Sequence, residues 1–84
     1  MPMQNLSGRR IKQIRLSKKP RMTQADLARA LQLTGVTIDR AGVAKIEGGY
    51  RQVSDIELAI IAEALGVQPG DLFQHEDRDQ SNPQ

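Results

Sequence analysis

The sequence contains no cysteine and a single histidine, and both scarcities restrict its chemistry. Without cysteine there is no disulfide framework and no thiolate metal site, and one histidine, His75, cannot form a histidine cluster. Aromatic residues make up only 2% of the 84 residues. We therefore expect an aliphatic core, which suits packed helices better than a β-sandwich. These scarcities predict an all-α protein without a metal or cofactor.

Long apolar stretches are also missing from the sequence. No run approaches the ~20 apolar residues that span a bilayer. Residues 1–13 lack the apolar stretch of a signal peptide. We expect a soluble, cytoplasmic protein with no membrane partner.

The formal charge of +2 hides an uneven distribution along the chain. Residues 1–51 carry eleven basic and three acidic side chains, a net charge of +8, whereas residues 52–84 carry one basic and seven acidic side chains, a net charge of −6. Such a division directs one part of the molecule towards a polyanion and keeps the other part away from it. On charge alone, an unevenly charged but merely solvated surface remains the alternative.

Apolar spacing, helix caps and helix breakers predict five short helices in one compact domain. The first helix covers about 8–17, with Ser7 as its cap, and Pro20 follows its end. Capping-box sequences precede the second and fourth helices, at 23–26 and 54–57. Asp39 caps the third helix, about 40–47, and Pro69 begins a short fifth helix. The predicted organisation is a flexible lead-in (1–6), a domain (7–73) and a disordered polar tail (74–84).

Three short segments, in this order, resemble the Cro/C1-type repressor family, the phage-repressor-like (XRE-type) helix-turn-helix group. They are residues 23–28 (TQADLA), 43–49 (VAKIEGG) and 61–67 (IAEALGV). The resemblance extends over about 7–73. It implies a five-helix, lambda-repressor-like domain whose third helix enters the major groove of double-stranded DNA. It further implies a sequence-specific transcriptional regulator, most simply a repressor that binds two half-sites as a homodimer.

The spacing between the second and third helices departs from the family pattern. Leu31 and Ile46 lie fifteen positions apart, roughly five more than a turn of about 3–4 residues would give. Either the second helix runs on to Leu33 or the turn itself is enlarged. A variant subgroup of the family carries such a longer turn.

The third helix has two different sides on a helical wheel. Val43, Ile46 and Glu47 share one side, and the other side, facing solvent or a partner, carries Ala41, Ala44, Lys45 and Gly48. Small side chains let a helix lie close to base edges, and alanine methyls can contact a thymine methyl. We therefore name Arg40, Ala41, Ala44 and Lys45 as candidate base contacts. Alternatively, the alanines are only good helix formers and Arg40 is solvated.

The sequence offers two explanations for Gly42. Glycine inside a helix costs about 1 kcal/mol relative to alanine. Close approach of the second helix and simple tolerance both account for it.

The resemblance implies further contacts to the DNA backbone. It places Gln24, at the start of the second helix, on a phosphate beside free backbone amides. Tyr50, Arg51 and Gln52 follow the third helix and are candidate phosphate contacts. It also implies a partly buried salt bridge between Arg15 and Glu47, which orients the third helix and does not touch DNA.

No motif in the sequence supports catalysis. His75 stands alone in the polar tail, capping explains the acidic residues at the helix starts, and Gly48-Gly49 ends a helix. One alternative function is an antitoxin or restriction-system controller that represses its own operon, with a toxin or another regulator as partner. The other is a protein–protein adaptor that has lost DNA binding. Candidate dimer contacts, which would otherwise belong to the core, are Ile60, Val67, Leu72 and Phe73.

Overall fold

Four α-helices and one short 3₁₀ helix form the fold of residues 3–73, which are the residues that the computed structural model describes. They are α1 (Gly8–Leu16), α2 (Gln24–Leu33), α3 (Arg40–Glu47), α4 (Asp55–Leu65) and the 3₁₀ helix Pro69–Phe73. The all-α prediction is confirmed, because none of these residues forms a strand. The prediction of five α-helices is wrong by one. The last element has only five residues, and the tighter 3₁₀ form is used in such short pieces and connectors.

The helix starts follow the local sequence at α2, α3 and α4. At α2, Thr23 Oγ1 accepts a hydrogen bond from the Asp26 amide at 3.0 Å, and the Asp26 carboxylate accepts one from the Thr23 amide at 2.9 Å. The same reciprocal pair joins Ser54 and Glu57 at α4. At α3, the Asp39 carboxylate accepts from the Gly42 amide at 2.8 Å. These caps are confirmed, and they satisfy amides that a helix start leaves without a partner.

The start of α1 differs from its prediction. The side chain of Ser7 makes no capping bond. Asn5 Oδ1 accepts from the amides of Ser7 and Gly8 instead, at 3.1 and 2.6 Å. The lead-in is also tied to the domain, since the Gln4 amide donates to the Gly49 carbonyl at 2.8 Å. Residues 3–6 are thus anchored rather than loose, while the division of the chain at residues 7 and 74 stays a prediction.

Both explanations of the long spacing between Leu31 and Ile46 are correct. Helix α2 continues to Leu33, and the turn still spans residues 34–39. Gly35 has φ +92° and its amide donates to the Gln32 carbonyl, so the helix ends where the glycine predicts. Ile38, only 3% exposed, anchors the enlarged turn in the core.

An aliphatic core joins all five elements. Helix α3 packs against α1 and α2, and α4 packs against α2 and the 3₁₀ helix. Of the candidate dimer contacts, Leu72 is wholly buried, Ile60 and Val67 are half-buried against the core, and Phe73 is 43% exposed. Leu72 is therefore a core residue and not part of an exposed patch. The largest fully buried side chains are Ile11, Leu27, Leu31, Ile46, Ile61, Leu65, Leu72 and Val43.

One feature of the predicted organisation lies beyond this fold. The tail at 74–84, including His75, lies outside the described residues. Among residues 3–73, no helix is long and apolar enough to cross a membrane.

Candidate nucleic-acid interface

Helix α3 has one buried side and one bare, exposed side. Val43 and Ile46 are each 1% exposed, and Glu47 faces the core with them. The exposed positions of the helix and its cap include those on the open side of the wheel, Ala41, Ala44, Lys45 and Gly48, and also Arg40. All four candidate base contacts on α3 are therefore exposed. Between two long cationic side chains, that side presents only methyl groups and backbone.

Gly42 lies at the edge of this exposed side and has a packing reason. A Cβ atom there would lie 2.9 Å from Ile38 Cγ2 and 3.3 Å from Asp39 Oδ1. The close approach therefore comes from the enlarged turn and not from α2. Glycine lets the anchored Ile38 fit against the first turn of α3.

Arg15 and Glu47 form a buried ion pair between α1 and α3. Arg15 Nε donates to Glu47 Oε2 at 2.6 Å and Arg15 Nη2 donates to Glu47 Oε1 at 3.0 Å. The two side chains are only 7% and 3% exposed. Arg15 Nη1 also donates to the Met22 carbonyl at 2.9 Å. The pair is buried more fully than the resemblance implied, and its charges are satisfied.

Gln24 belongs to the same network, which the sequence did not indicate. Its Nε2 donates to Glu47 Oε1 at 3.0 Å, and the residue is half-buried. One carboxylate on α3 therefore receives hydrogen bonds from α1 and from the first residue of α2. Gln24 still lies at the amino terminus of α2, where a helix presents free amides and partial positive charge.

A shallow depression lies beside this network, where the end of α1 meets the starts of α2 and α3. It has a volume of about 550 Å³. Arg21 and Arg40 are exposed at its rim, whereas Arg15 is already paired with Glu47 in a salt bridge. Two exposed cations and a helix amino terminus favour an anion here. The lining residues are Arg15, Leu16, Arg21, Thr23, Gln24, Ala25 and Arg40.

The segment after α3 carries three candidate phosphate contacts in different environments. Tyr50 is 68% exposed, and its ring lies so close to Gly48 that a Cβ there would be 2.7 Å from Tyr50 Cε2. Gln52 is exposed. Arg51 is already engaged, because its Nη1 and Nη2 each donate to the Glu57 carboxylate at 3.1 Å.

The Arg51–Glu57 contact shifts both groups. The Arg51 guanidinium, followed by the Ser54 amide, lowers the pKa of Glu57 below its ordinary value. The Glu57 carboxylate in turn raises the pKa of Arg51. Since the two side chains remain 33% and 25% exposed, the pair is open to solvent and to exchange with another anion.

Comparison with known proteins agrees with this arrangement. A family model described as helix-turn-helix matches residues 11–72. Over 68 residues the chain is 43% identical to "Control protein C.BamHI" of Bacillus amyloliquefaciens, an alignment that covers 81% of this chain and 76% of that protein. No solved structure is significantly similar to the chain.

Proposed function

The chain belongs to the Cro/C1-type helix-turn-helix family and is a DNA-binding transcriptional regulator, and from this premise we propose that it is a repressor that reads its operator with α3 in the major groove. The observation that carries the proposal is the exposed side of α3. It is bare at Ala41 and Ala44, it carries Arg40 and Lys45, and its other side is fixed in the core. A helix of this shape can approach base edges closely.

Base reading is assigned to the four exposed side chains of α3. Arg40 and Lys45 have the reach for guanine O6 and N7, the commonest specific contact in the major groove. Ala41 and Ala44 offer methyl groups to thymine. Arg40, in the first turn of α3, also borders the basic depression, so it can pair with a base edge or with the phosphate beside it.

Phosphate contacts are assigned to the flanks of α3. On one side, the amino terminus of α2, Gln24 and Arg21 form the anion-favouring depression. On the other side lie Tyr50, Arg51 and Gln52. These contacts supply affinity and register, whereas the base contacts supply specificity. Arg51 reaches a phosphate only by sharing or leaving its bond to Glu57.

The assembly on DNA is proposed from the family. A homodimer with a lambda-repressor-like arrangement of helices would place two copies of α3 in half-sites about one helical turn apart. Bound across a promoter, such a dimer blocks the polymerase. A cytoplasmic location, a partner protein and the absence of catalytic activity belong to the same proposal.

A controller role is favoured over an antitoxin role by one observation. The chain is similar to a relative named as a control protein. We therefore place a restriction-system controller that acts on its own operon ahead of an antitoxin, and the neighbouring gene decides between them. A restriction endonuclease or methyltransferase gene supports the controller, and a toxin gene supports the antitoxin.

Salt titration tests the proposal against the adaptor alternative. Duplexes bound by the protein are first selected from a random pool, and the best one is titrated between low and physiological salt. A DNA regulator loses affinity steeply, with a log–log slope of about −0.9 per phosphate neutralised. If no duplex is enriched and none binds at low salt, the protein is an adaptor and the proposal fails.

A further inference from the structure

We propose that Asn5 is a positioning residue for DNA recognition, because it holds the carboxyl-terminal end of α3 and the segment that follows it. Asn5 Nδ2 donates to the Ile46 carbonyl at 3.1 Å and to the Arg51 carbonyl at 2.8 Å. These partners are 41 and 46 residues away in the sequence. The inference rests on the proposed function, since it concerns how the same surface is aimed.

The oxygen of the same side chain binds the start of α1. Asn5 Oδ1 accepts from the amides of Ser7 and Gly8, where α1 begins. The amide group therefore makes four hydrogen bonds. It joins the start of α1 to the last turn of α3 and to the segment that carries Tyr50, Arg51 and Gln52.

Ile46 O is one of the carbonyls that a helix end leaves without an intrahelical partner, and the other carbonyls that Asn5 and its neighbour bind lie in the segment after α3. Ile46 O accepts from the Gly49 amide at 3.0 Å and also from Asn5, and Gly49 O accepts from the Gln4 amide at 2.8 Å. Gly49 has φ +82°, so the chain turns sharply there. Three carbonyls of this turn, those of Ile46, Gly49 and Arg51, are thus bonded to the lead-in.

Glycine at position 8 permits the contact between the start of α1 and the end of α3. A Cβ atom on Gly8 would overlap the Ile46 carbonyl oxygen. Only glycine allows the start of α1 to lie directly on the end of α3, and Asn5 lies beside that contact. Gly8 and Asn5 therefore act together as one joint between the two helices.

With this joint, both ends of α3 are held against the rest of the domain. Asp39 and Ile38 fix the start of α3, Glu47 is bound to Arg15 and Gln24, and Asn5 fixes the end. Recognition requires a site held to within about 0.5 Å. Release of one end changes which bases the exposed side meets, while the charges that contact phosphates are retained.

Asn5→Asp separates this role from a role in capping α1. A carboxylate keeps the acceptor for the Ser7 and Gly8 amides, and its charge is favourable at a helix amino terminus. It cannot donate to Ile46 O or Arg51 O, and it places oxygen against oxygen. Leu6→Asp is the matched control, because it adds the same charge at the next position, on a side chain that is 69% exposed.

The decisive readout is affinity for two duplexes, measured well below the melting temperature of each variant. One is the duplex selected by the wild-type protein, and the other is a scrambled duplex of equal length. Relative to Leu6→Asp, we expect Asn5→Asp to weaken binding to the selected duplex about tenfold, as the loss of two part-buried hydrogen bonds implies. Binding to the scrambled duplex should change less than about twofold, because non-specific binding depends on charge. Equal affinity of the two variants for the selected duplex, or equal weakening on both duplexes, overturns the proposal.

A second readout needs no DNA. In Asn5→Asp, native-state amide exchange at Gly49 and Tyr50 should be about tenfold faster than in Leu6→Asp, while Ser7 and Gly8 remain protected. Unchanged exchange at Gly49 and Tyr50 overturns the proposal. If the wild-type protein binds no duplex, the proposed function fails, and this exchange measurement alone decides whether Asn5 holds the end of α3.

Discussion

Glu47 on α3 and Arg15 on α1 are joined by two hydrogen bonds, at 2.6 and 3.0 Å, inside the protein. Gln24 adds a third bond to the same carboxylate from α2. A single acidic residue on the buried side of α3 thereby sets the position of that helix against both of its neighbours. The exposed side, with Arg40 and Lys45, is aimed by this internal contact.

Removal of Glu47 should lower both stability and DNA affinity. Glu47→Ala leaves the Arg15 guanidinium buried without its partner, and breaking such a pair costs about 3–5 kcal/mol. That is a large share of the stability of a domain this small. Thermal unfolding and affinity for the selected duplex are the measurements. A melting temperature equal to that of the wild type contradicts the assignment.

Replacement of both charges should separate stability from recognition. In Arg15→Met combined with Glu47→Leu, no charge is left stranded, so much of the lost free energy of unfolding should return. Gln24 still loses its acceptor and α3 loses its polar link to α1. We expect a folded protein whose affinity for the selected duplex stays below that of the wild type. Recovery of full affinity together with stability would show that the ion pair does not aim α3.

Gly42→Ala should not stabilise the protein, although alanine is the better helix former by about 1 kcal/mol. The new Cβ would lie 2.9 Å from Ile38 Cγ2, and Ile38 is buried and cannot move freely. Overpacking of this kind costs about 1–3 kcal/mol. Gly70→Ala is the control, since nothing lies within 4 Å of its Cβ position. Urea unfolding should show a loss at Gly42 and none at Gly70, and a gain at Gly42 would contradict the packing argument.

The Arg51–Glu57 pair should make stability depend on pH on the acid side. Arg51 lowers the pKa of Glu57 in the folded state, so folding is favoured at pH values above the pKa of the unfolded state. This contribution is lost as the pH falls through the lowered folded pKa. Because the pair is partly exposed, it amounts to no more than about 1 kcal/mol.

Glu57→Gln removes the ionisable group, while glutamine at this position still serves the capping box. The free energy of unfolding is measured in urea at neutral pH and at several acidic pH values. The wild type should lose its advantage over the variant as the pH falls. A constant difference across the range would show that the pair does not contribute through ionisation.

Arg40 and Arg51 should differ in the kind of affinity that they supply. Arg40→Ala should cost about 1–3 kcal/mol on the selected duplex and relax the preference at one base pair. Arg51→Ala should weaken all duplexes evenly and reduce the magnitude of the salt slope by about 1. Affinities for a set of single-base-pair variants of the selected duplex distinguish the two. An unchanged preference in Arg40→Ala contradicts its assignment to a base.

Features encoded within one or two helical turns were predictable from the sequence. The boxes at Thr23 and Ser54, the Asp39 cap and the two sides of α3 all depend on residues three or four positions apart. The Arg15–Glu47 contact, 32 residues apart, was reached only through the family resemblance.

The remaining features depend on tertiary proximity that no local pattern carries. Asn5 lies in a segment without periodicity, and the Gln24–Glu47 bond spans 23 residues. The sequence left two explanations open for Gly42, and only the position of Ile38 shows why it is glycine. The sequence did not show where α2 ends and the turn begins, because residues 32–38 fit either a longer helix or a longer turn.

Chemical protection of the bound duplex is the most direct test of whether the exposed side of α3 reads the major groove. Dimethyl sulfate methylates guanine N7 in the major groove and adenine N3 in the minor groove, so one footprint reports on both. We predict guanine N7 protection in two half-sites about one helical turn apart, with protection lost at one base pair per half-site in Arg40→Ala. Guanine N7 atoms that stay fully reactive while adenine N3 atoms are protected would contradict it.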